Sequence, residues 1–303
     1  MGNPSVDGDR VVEVMYRPLD RRYLYNHPAF GDFLRPGLQQ AWGPENMALY
    51  AMPFGTGTGP AVWCHAMLPD YHAFSGRGGY AFPLNDRRAG HGPSNVSADL
   101  LDGLALAYKH PVTPEAAFDA ILGLLSATSY TLRFAEDLED VFPHVPFPAS
   151  REVFEQAVAI GREIRKVETF ARPPLAAYLT PVIARIDTTP HGPLATIGPN
   201  AWNDGGLVLC ENGSGKVSGI STAVWSFAVS GYPLLPRWLA GREGISVDDA
   251  FIKEFRDITG RINELIHCFD EADLVLQQAL THSLTRDDLG LPPDRDEAVH
   301  DQP

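Results

Sequence analysis

Three of the seven residues in Phe142-Pro143-His144-Val145-Pro146-Phe147-Pro148 are proline. Proline fixes φ at about −65°, carries no N–H donor, and drives the residue before it out of the helical region. No helix can cross this segment and no interior strand can contain it. The chain must run extended here, and the segment is expected to act as a rigid connector between the folded parts around it.

Both flanks carry helical signals. Thr113-Pro114-Glu115 sets an N-cap hydroxyl before a proline at the first helical position. Phe118, Ile121, Leu122 and Leu125 follow at helical spacing. A second helix is expected over residues 129–138. Ser150 caps a third, whose apolar side holds Val153, Phe154, Ala157, Val158, Ile164 and Val167. Ser246-Val247-Asp248-Asp249 is a capping-box variant opening a long final helix through Ile252, Phe255, Ile258, Ile262, Leu265, Ile266 and Phe269.

The first third reads differently. Strands are expected at 11–16, 47–52 and 61–68, separated by turn-rich runs such as Gly55-Thr56-Gly57-Thr58-Gly59-Pro60 and Ser75-Gly76-Arg77-Gly78-Gly79. Residues 85–93 have no apolar period and read as an exposed loop. From 171 to 222 Pro, Gly, Asn and Thr dominate, with short strands expected at 194–197 and 206–209. A strand at 223–229 and a short helix at 233–239 complete the pattern. There is no internal repeat and no βαβ regularity. The expected class is α+β, with a strand-rich N-terminal part, a helical middle and a long C-terminal helix. Residues 1–10 are expected to be flexible. Residues 11–284 form the folded region, with 11–110 and 111–284 as candidate sub-parts. Residues 285–303 are expected to form a disordered acidic tail carrying Asp287, Asp288, Asp294, Asp296, Glu297 and Asp301.

The search for chemistry is empty. Gly213-Ser214-Gly215-Lys216 has the end of a phosphate-binding loop, but Cys210 stands where the motif needs Gly and Val217 where it needs a hydroxyl for magnesium. A hairpin turn is the better reading. Pro60 occupies the third glycine position of a dinucleotide fingerprint begun by Gly55-Thr56-Gly57. Ala223 spoils a nucleophile elbow at Gly219-Ile220-Ser221-Thr222. His65, Asp70 and His72 fit no metal spacing. The loop that binds a flipped adenine in DNA methyltransferases is missing; Asn3-Pro4-Ser5-Val6 is not that motif. Cys64, Cys210 and Cys268 form no CxxC pair and read as reduced thiols. The chain has no apolar run long enough to span a membrane and no signal peptide, so a cytoplasmic protein is expected.

Three segments together resemble the C-terminal target-recognition (specificity) region of type ISP restriction-modification enzymes and associated DNA methyltransferases. Tyr16-Arg17-Pro18-Leu19-Asp20-Arg21-Arg22-Tyr23-Leu24-Tyr25 is similar to the family's Tyr-Arg-Pro-Phe-Asp-x-Arg-Trp-x-Tyr. Ser129-Tyr130 and Phe134, leading into Phe142-Pro143-His144-Val145-Pro146, resemble its aromatic-Arg-x-x-Phe/Tyr run into Phe-Pro-Arg-Ile-Pro. Gly231-Tyr232-Pro233-Leu234-Leu235-Pro236-Arg237-Trp238-Leu239 looks like its Gly-Tyr-x-Val-Leu-x-x-Trp-Leu. His144 stands where the family has Arg, and Glu139 where Lys is common; both remove positive charge.

The resemblance implies a non-catalytic module that reads double-stranded DNA beside a methyltransferase and helicase-nuclease domain or subunit. No cofactor is expected in this chain; S-adenosylmethionine would sit on the partner methyltransferase. Trp238 and Tyr232 are read as core. The net charge of −14 demands that any DNA-facing cations be segregated on one face. Of the 24 basic residues only Lys109, Lys166, Lys216 and Lys253 are lysines; the rest are arginines, which suit bidentate contacts. Arg17, Arg21, Arg22, Arg35, Arg77, Arg87 and Arg88 are the candidates for phosphate and base contact. Two other classes stay open: a hydrolase or transferase with an unrecognised site, marked by polar groups converging in a deep pocket, and an acidic interaction protein, marked by an acidic face without a basic cleft.

Overall fold

The computed structural model of the protein describes residues 8–27, 36–42, 46–74, 78–88, 94–179, 184–198 and 201–292. In chain order its strands are β1 (Val11–Arg17), β2 (Asp20–Tyr25), β3 (Ala48–Ala51), β4 (Val62–His65), β5 (Leu68–Pro69), β6 (Tyr80–Pro83), β7 (Arg185–Ile186), β8 (Leu207–Val208), β9 (Lys216–Ser218), β10 (Ala228–Val229) and β11 (Tyr232–Pro233). Its helices are α1 (Pro36–Ala41), α2 (Ala98–Tyr108), α3 (Pro114–Leu125), α4 (Thr128–Arg133), α5 (Arg151–Glu168), α6 (Thr222–Ser226), α7 (Leu234–Ala240) and α8 (Asp249–Ala279). The expected α+β class, with a strand-rich start, a helical middle and a long last helix, is the class observed.

Small sheets build the first part. The Tyr16–Tyr25 segment is a hairpin, β1 antiparallel to β2, and β5 joins the other side of β1 in parallel. The second sheet sets β3 between β4 and β6, all antiparallel. β3 and β4 are buried throughout, which explains their unbroken apolar sequence. The strand expected at 61–68 breaks at Ala66-Met67, so β4 serves one sheet and β5 the other. The Gly213–Lys216 stretch is a hairpin turn between β8 and β9.

α3, α5 and α8 form the helical body. Thr113 accepts from the Ala116 N–H, Ser150 from Val153 and Asp248 from Phe251, so all three helices are capped by side chains at about 1 kcal/mol each. In the last the cap is Asp248, two residues beyond the Ser246 of the expected capping box. Asp119 of α3, 1% exposed, takes a two-pronged contact from Arg165 of α5 at 2.6 and 3.0 Å. Arg261 of α8 donates to the Val167 carbonyl at the end of α5 at 2.8 Å. Farther along α8, Asp273 accepts from the Ser129 N–H, the Ser129 hydroxyl and the Thr128 hydroxyl, fixing the start of α4.

The proline segment is extended, as its sequence dictates. Its carbonyls find outside donors: the Tyr130 hydroxyl to His144, the Leu284 N–H to Phe147 and the Tyr108 hydroxyl to Pro148. It therefore joins α2, α4 and the segment after α8.

Four elements differ from expectation. In the stretch expected as a strand over 223–229, residues through Ser226 belong to helix α6 and only Ala228–Val229 are strand, as β10. Ser221 caps that helix by accepting from Val224, and Trp225 stacks on Trp202. The helix over 129–138 is shorter, ending at Arg133 before a separate turn at Asp137–Glu139. Residues 194–197 make only a single bridge, Leu194 to Cys210. α2 had no counterpart in the sequence reading. Past Leu284 the chain continues packed through its first residues: Leu289 is buried and Thr285 and Asp288 close a turn. The remainder of the expected tail, residues 293–303, and residues 1–7 lie outside the described residues.

Candidate nucleic-acid interface

An open groove of about 480 Å³ lies where β3, β6, α1 and the turn after β5 meet. Tyr50, Tyr71, Tyr80, Asp70 and Arg88 supply its functional side chains. The groove exists because β3 is the middle strand of its sheet. That placement sets Tyr50 opposite Ala81, across from β6, and brings residues from four separate stretches of sequence together.

Two tyrosines form its aromatic walls. Tyr71 and Tyr80 are 45% and 55% exposed, high values for rings that line a groove. The Tyr71 carbonyl accepts from the Tyr50 hydroxyl at 2.6 Å and from the Gly79 N–H at 3.0 Å. Gly78 and Gly79 allow this arrangement. A Cβ on Gly78 would stand 1.8 Å from the Tyr71 ring, and one on Gly79 would stand 2.3 Å from the Tyr50 ring. Burial pushes the Tyr50 hydroxyl up to about 12, so it stays a neutral donor.

Arg88 stands at the rim. Its Nε and Nη2 donate to the two oxygens of Asp86 at 3.0 and 2.8 Å, and Asp86 also accepts from the Arg88 N–H. The hydrogen bonds to Asp86 hold the guanidinium in its charged form. The turn is anchored by Asn46, which is buried: its amide accepts from the Asn85 N–H at 3.1 Å and donates to the Asn85 carbonyl at 2.7 Å. Arg87 beside it is exposed, and among the described residues it has no ion-pair partner. Arg17 donates to Asp70 of the groove wall at 2.9 Å while lying over the Tyr16 ring.

The other candidates are placed elsewhere. Arg22 pairs with both oxygens of Asp20 at 3.0 and 3.1 Å and donates to the Gly241 carbonyl, so it holds the first hairpin to α7. Arg21 lies over the Phe170 ring beside Glu13, at the groove between the hairpin and the first turns of α8. Arg35 and Arg77 lie outside the described residues. Of the set, Arg88 alone lines this groove among the described residues; Arg17 is tied to its wall through Asp70, and Arg87 is adjacent to Arg88 in sequence.

Tyr71, Tyr80 and Asp86 went unnoticed in the sequence. The available signal was Asp86-Arg87-Arg88 in a loop, where an acid two residues before an arginine can clamp it. Ser221 is a helix cap, and His65 is buried beside Tyr50, away from exposed His72. Among the described residues no group of His, Cys, Asp and Glu is arranged to hold a metal ion. No described helix is long and apolar enough to cross a membrane.

Comparisons with known proteins agree with this architecture. The chain matches the model of the family described as the Type ISP C-terminal specificity domain over residues 2–267. No curated protein matches it in sequence. It is similar to the Type ISP restriction-modification enzyme LlaBIII bound to DNA, with a TM-score of 0.65 and 18% identity, over 89% of this chain and 19% of that one. It is also similar to a nuclease-deletion mutant of the Type ISP enzyme LlaGI in complex with a DNA substrate mimic, at 0.63 and 16%, over 86% and 20%. A third likeness is to the DrdV–DNA complex, at 0.62 and 15%, over 91% and 29%. At these identities the likeness is one of fold. The chain spans about a fifth of the length of the first two enzymes.

Proposed function

From the chain's membership of the Type ISP C-terminal specificity domain family, we propose that it is a DNA sequence-recognition module, non-catalytic by itself, acting in the cytoplasm beside a methyltransferase. The observation that carries this reading is the groove that gathers Tyr71, Tyr80 and Arg88, with Arg17 bound to Asp70 of its wall. Exposed aromatic rings offer faces to bases or sugars, and arginine offers paired donors to phosphate or to base edges. The three segments shared with the family support the groove rather than line it. Asp20 and Arg22 bind to α7 and its flank, Trp238 is core, and the proline segment ties α2 and α4 to the end of α8.

Transfer of a methyl group to the target base would fall to a partner domain that binds S-adenosylmethionine. Cleavage and translocation would fall to a motor and nuclease, in the same assembly. This chain's share is to select the duplex.

The test is binding of the purified chain to a pool of duplexes with randomised positions, across a salt series. Binding at low salt that weakens steadily as salt rises and enriches one sequence is the expected result. Absence of binding at every salt would overturn the reading. Calorimetry with S-adenosylmethionine should show no micromolar binding, and the pure chain should transfer no methyl group to DNA.

A further inference from the structure

The Asp86–Arg88 pair has a geometry that a simple surface ion pair does not need. Asp86 takes the Nε and one Nη2 hydrogen of Arg88, at 3.0 and 2.8 Å. A guanidinium carries five N–H groups in one plane. The two remaining donors of the outer edge, on Nη1 and Nη2, are parallel and stand at the groove rim. The carboxylate is 13% exposed while the arginine side chain is 49% exposed, so the buried partner positions the exposed one. The Asp86 oxygen also accepts the Arg88 N–H at 2.9 Å, and Asn46 fixes the residue before Asp86. Backbone and side chain are therefore held by the same two residues.

That arrangement separates two roles an arginine can play on a duplex. Phosphate attraction depends on net charge, and Asp86 cancels it. Directional pairing depends on parallel donors held in a plane, and Asp86 preserves them and removes their freedom to rotate. Two parallel N–H groups match the O6 and N7 acceptors of guanine in the major groove. Arg87, exposed and without an ion-pair partner among the described residues, is the neighbour suited to phosphate.

We infer that Arg88, clamped by Asp86, is a specificity-determining residue that reads a guanine in the recognised duplex. The inference rests on the reading of the chain as a DNA-recognition module, and adds to it one base of the unknown site.

The experiment is selection from a duplex pool with randomised positions by the wild-type chain and by Arg88→Ala, Arg88→Lys and Asp86→Asn. The two Arg88 variants should melt like the wild type, because that side chain is half exposed, whereas Asp86→Asn, at a mostly buried carboxylate, should stay folded with a lowered midpoint. The wild type should enrich guanine at a position where Arg88→Ala loses discrimination by roughly tenfold or more, with preferences elsewhere retained. Arg88→Lys should not restore it, since an ammonium is a point donor rather than a planar fork. Asp86→Asn should weaken discrimination at that same position alone. In the selected duplex, 7-deazaguanine at that position removes the N7 acceptor. It should weaken binding by the wild type and leave binding by Arg88→Ala unchanged.

Selection of a sequence that none of the variants alters would overturn the inference and leave the module reading intact. So would a uniform loss of affinity in Arg88→Ala with a salt slope reduced by about one, which marks a phosphate contact. A wild-type chain that binds no duplex would overturn both.

Discussion

Arg242 donates from Nη2 to the Asp20 carboxylate at 3.0 Å, across 222 residues of sequence. Both side chains are almost wholly buried. The contact welds the first family segment to the end of the third, while Arg242 lies over the Trp238 ring at 3.8 Å and pairs again with Glu254 of α8. Removing Asp20 leaves the buried Arg242 guanidinium with the half-exposed Glu254 as its only remaining carboxylate. Asp20→Asn should therefore cost about 3 kcal/mol, read as a lowered urea midpoint. Adding Arg242→Met should recover part of that loss. Strict additivity of the two substitutions would show that the contact holds nothing together.

Gly78 and Gly79 should respond differently to the same substitution. A Cβ at 79 meets the buried Tyr50 ring, which has nowhere to go, and overpacking of this kind costs about 1–3 kcal/mol. A Cβ at 78 meets the exposed Tyr71 ring, which can swing aside. Gly79→Ala should lower the melting temperature, whereas Gly78→Ala should leave it nearly unchanged and weaken duplex binding. Equal melting and unaltered binding for Gly78→Ala would remove Tyr71 from the proposed interface.

Two buried titratable groups bend the stability profile in opposite directions. His65 is lowered from 6.5 to about 3 by burial, and its ring nitrogens have no partner among the described residues. The unfolded chain gains a proton there as pH falls through 6.5 while the folded chain does not, so stability drops toward acid down to about 3. Burial holds Glu168 well above its ordinary 4.5, against the opposing hydrogen bond from the Cys64 N–H. Its contribution is fully present below 4.5 and is lost as pH rises toward the raised value. Just above 4.5 the two slopes oppose each other, and that of His65 ends above 6.5. Urea midpoints from about pH 4 to about pH 8 test this. Glu168→Gln should gain on the wild type as pH rises, and His65→Leu should gain on it as pH falls. Parallel profiles would refute both assignments.

Arg87 supplies the control for its neighbour. Arg87→Ala should reduce the slope of log affinity against log salt by about one, with the selected sequence unchanged. An altered sequence preference would mean that the phosphate and base roles are the other way round.

The parts of the fold legible in the sequence are those set by local chemistry. Thr113-Pro114 and Ser150 announce their helices because capping is a contact within four residues, and the Ser246–Asp249 run announces the last one with its cap two residues late, at Asp248. The prolines of 142–148 likewise forbid alternatives by themselves. The stretch 223–229 misled because an apolar run of that length fits either a strand or a buried helix; the Ser221 cap and the Trp225–Trp202 stack decided it. α2 escaped notice because Gly103 interrupts it. That glycine answers to a distant neighbour, since a Cβ there would stand 2.3 Å from the Leu289 carbonyl. The groove was the least legible feature. Asp20-Arg21-Arg22 and Asp86-Arg87-Arg88 carry the same local clamp, and nothing local shows that the first is tied to Gly241 while the second lines a groove. That partition depends on β3 lying between β4 and β6, a pairing of segments far apart in the chain.

The family match ends at residue 267, in the middle of α8. The hydrogen bonds do not respect that limit. Asp273 holds the start of α4, Ala272, Leu276 and Ala279 are buried in the core, the Leu284 N–H closes onto Phe147, and Leu289 covers Gly103. The smallest autonomously folding unit therefore extends past Leu289. A protein trimmed to the family boundary would lose the far wall of its own interior, and would leave the start of α4 without Asp273 and the Phe147 carbonyl without the Leu284 N–H.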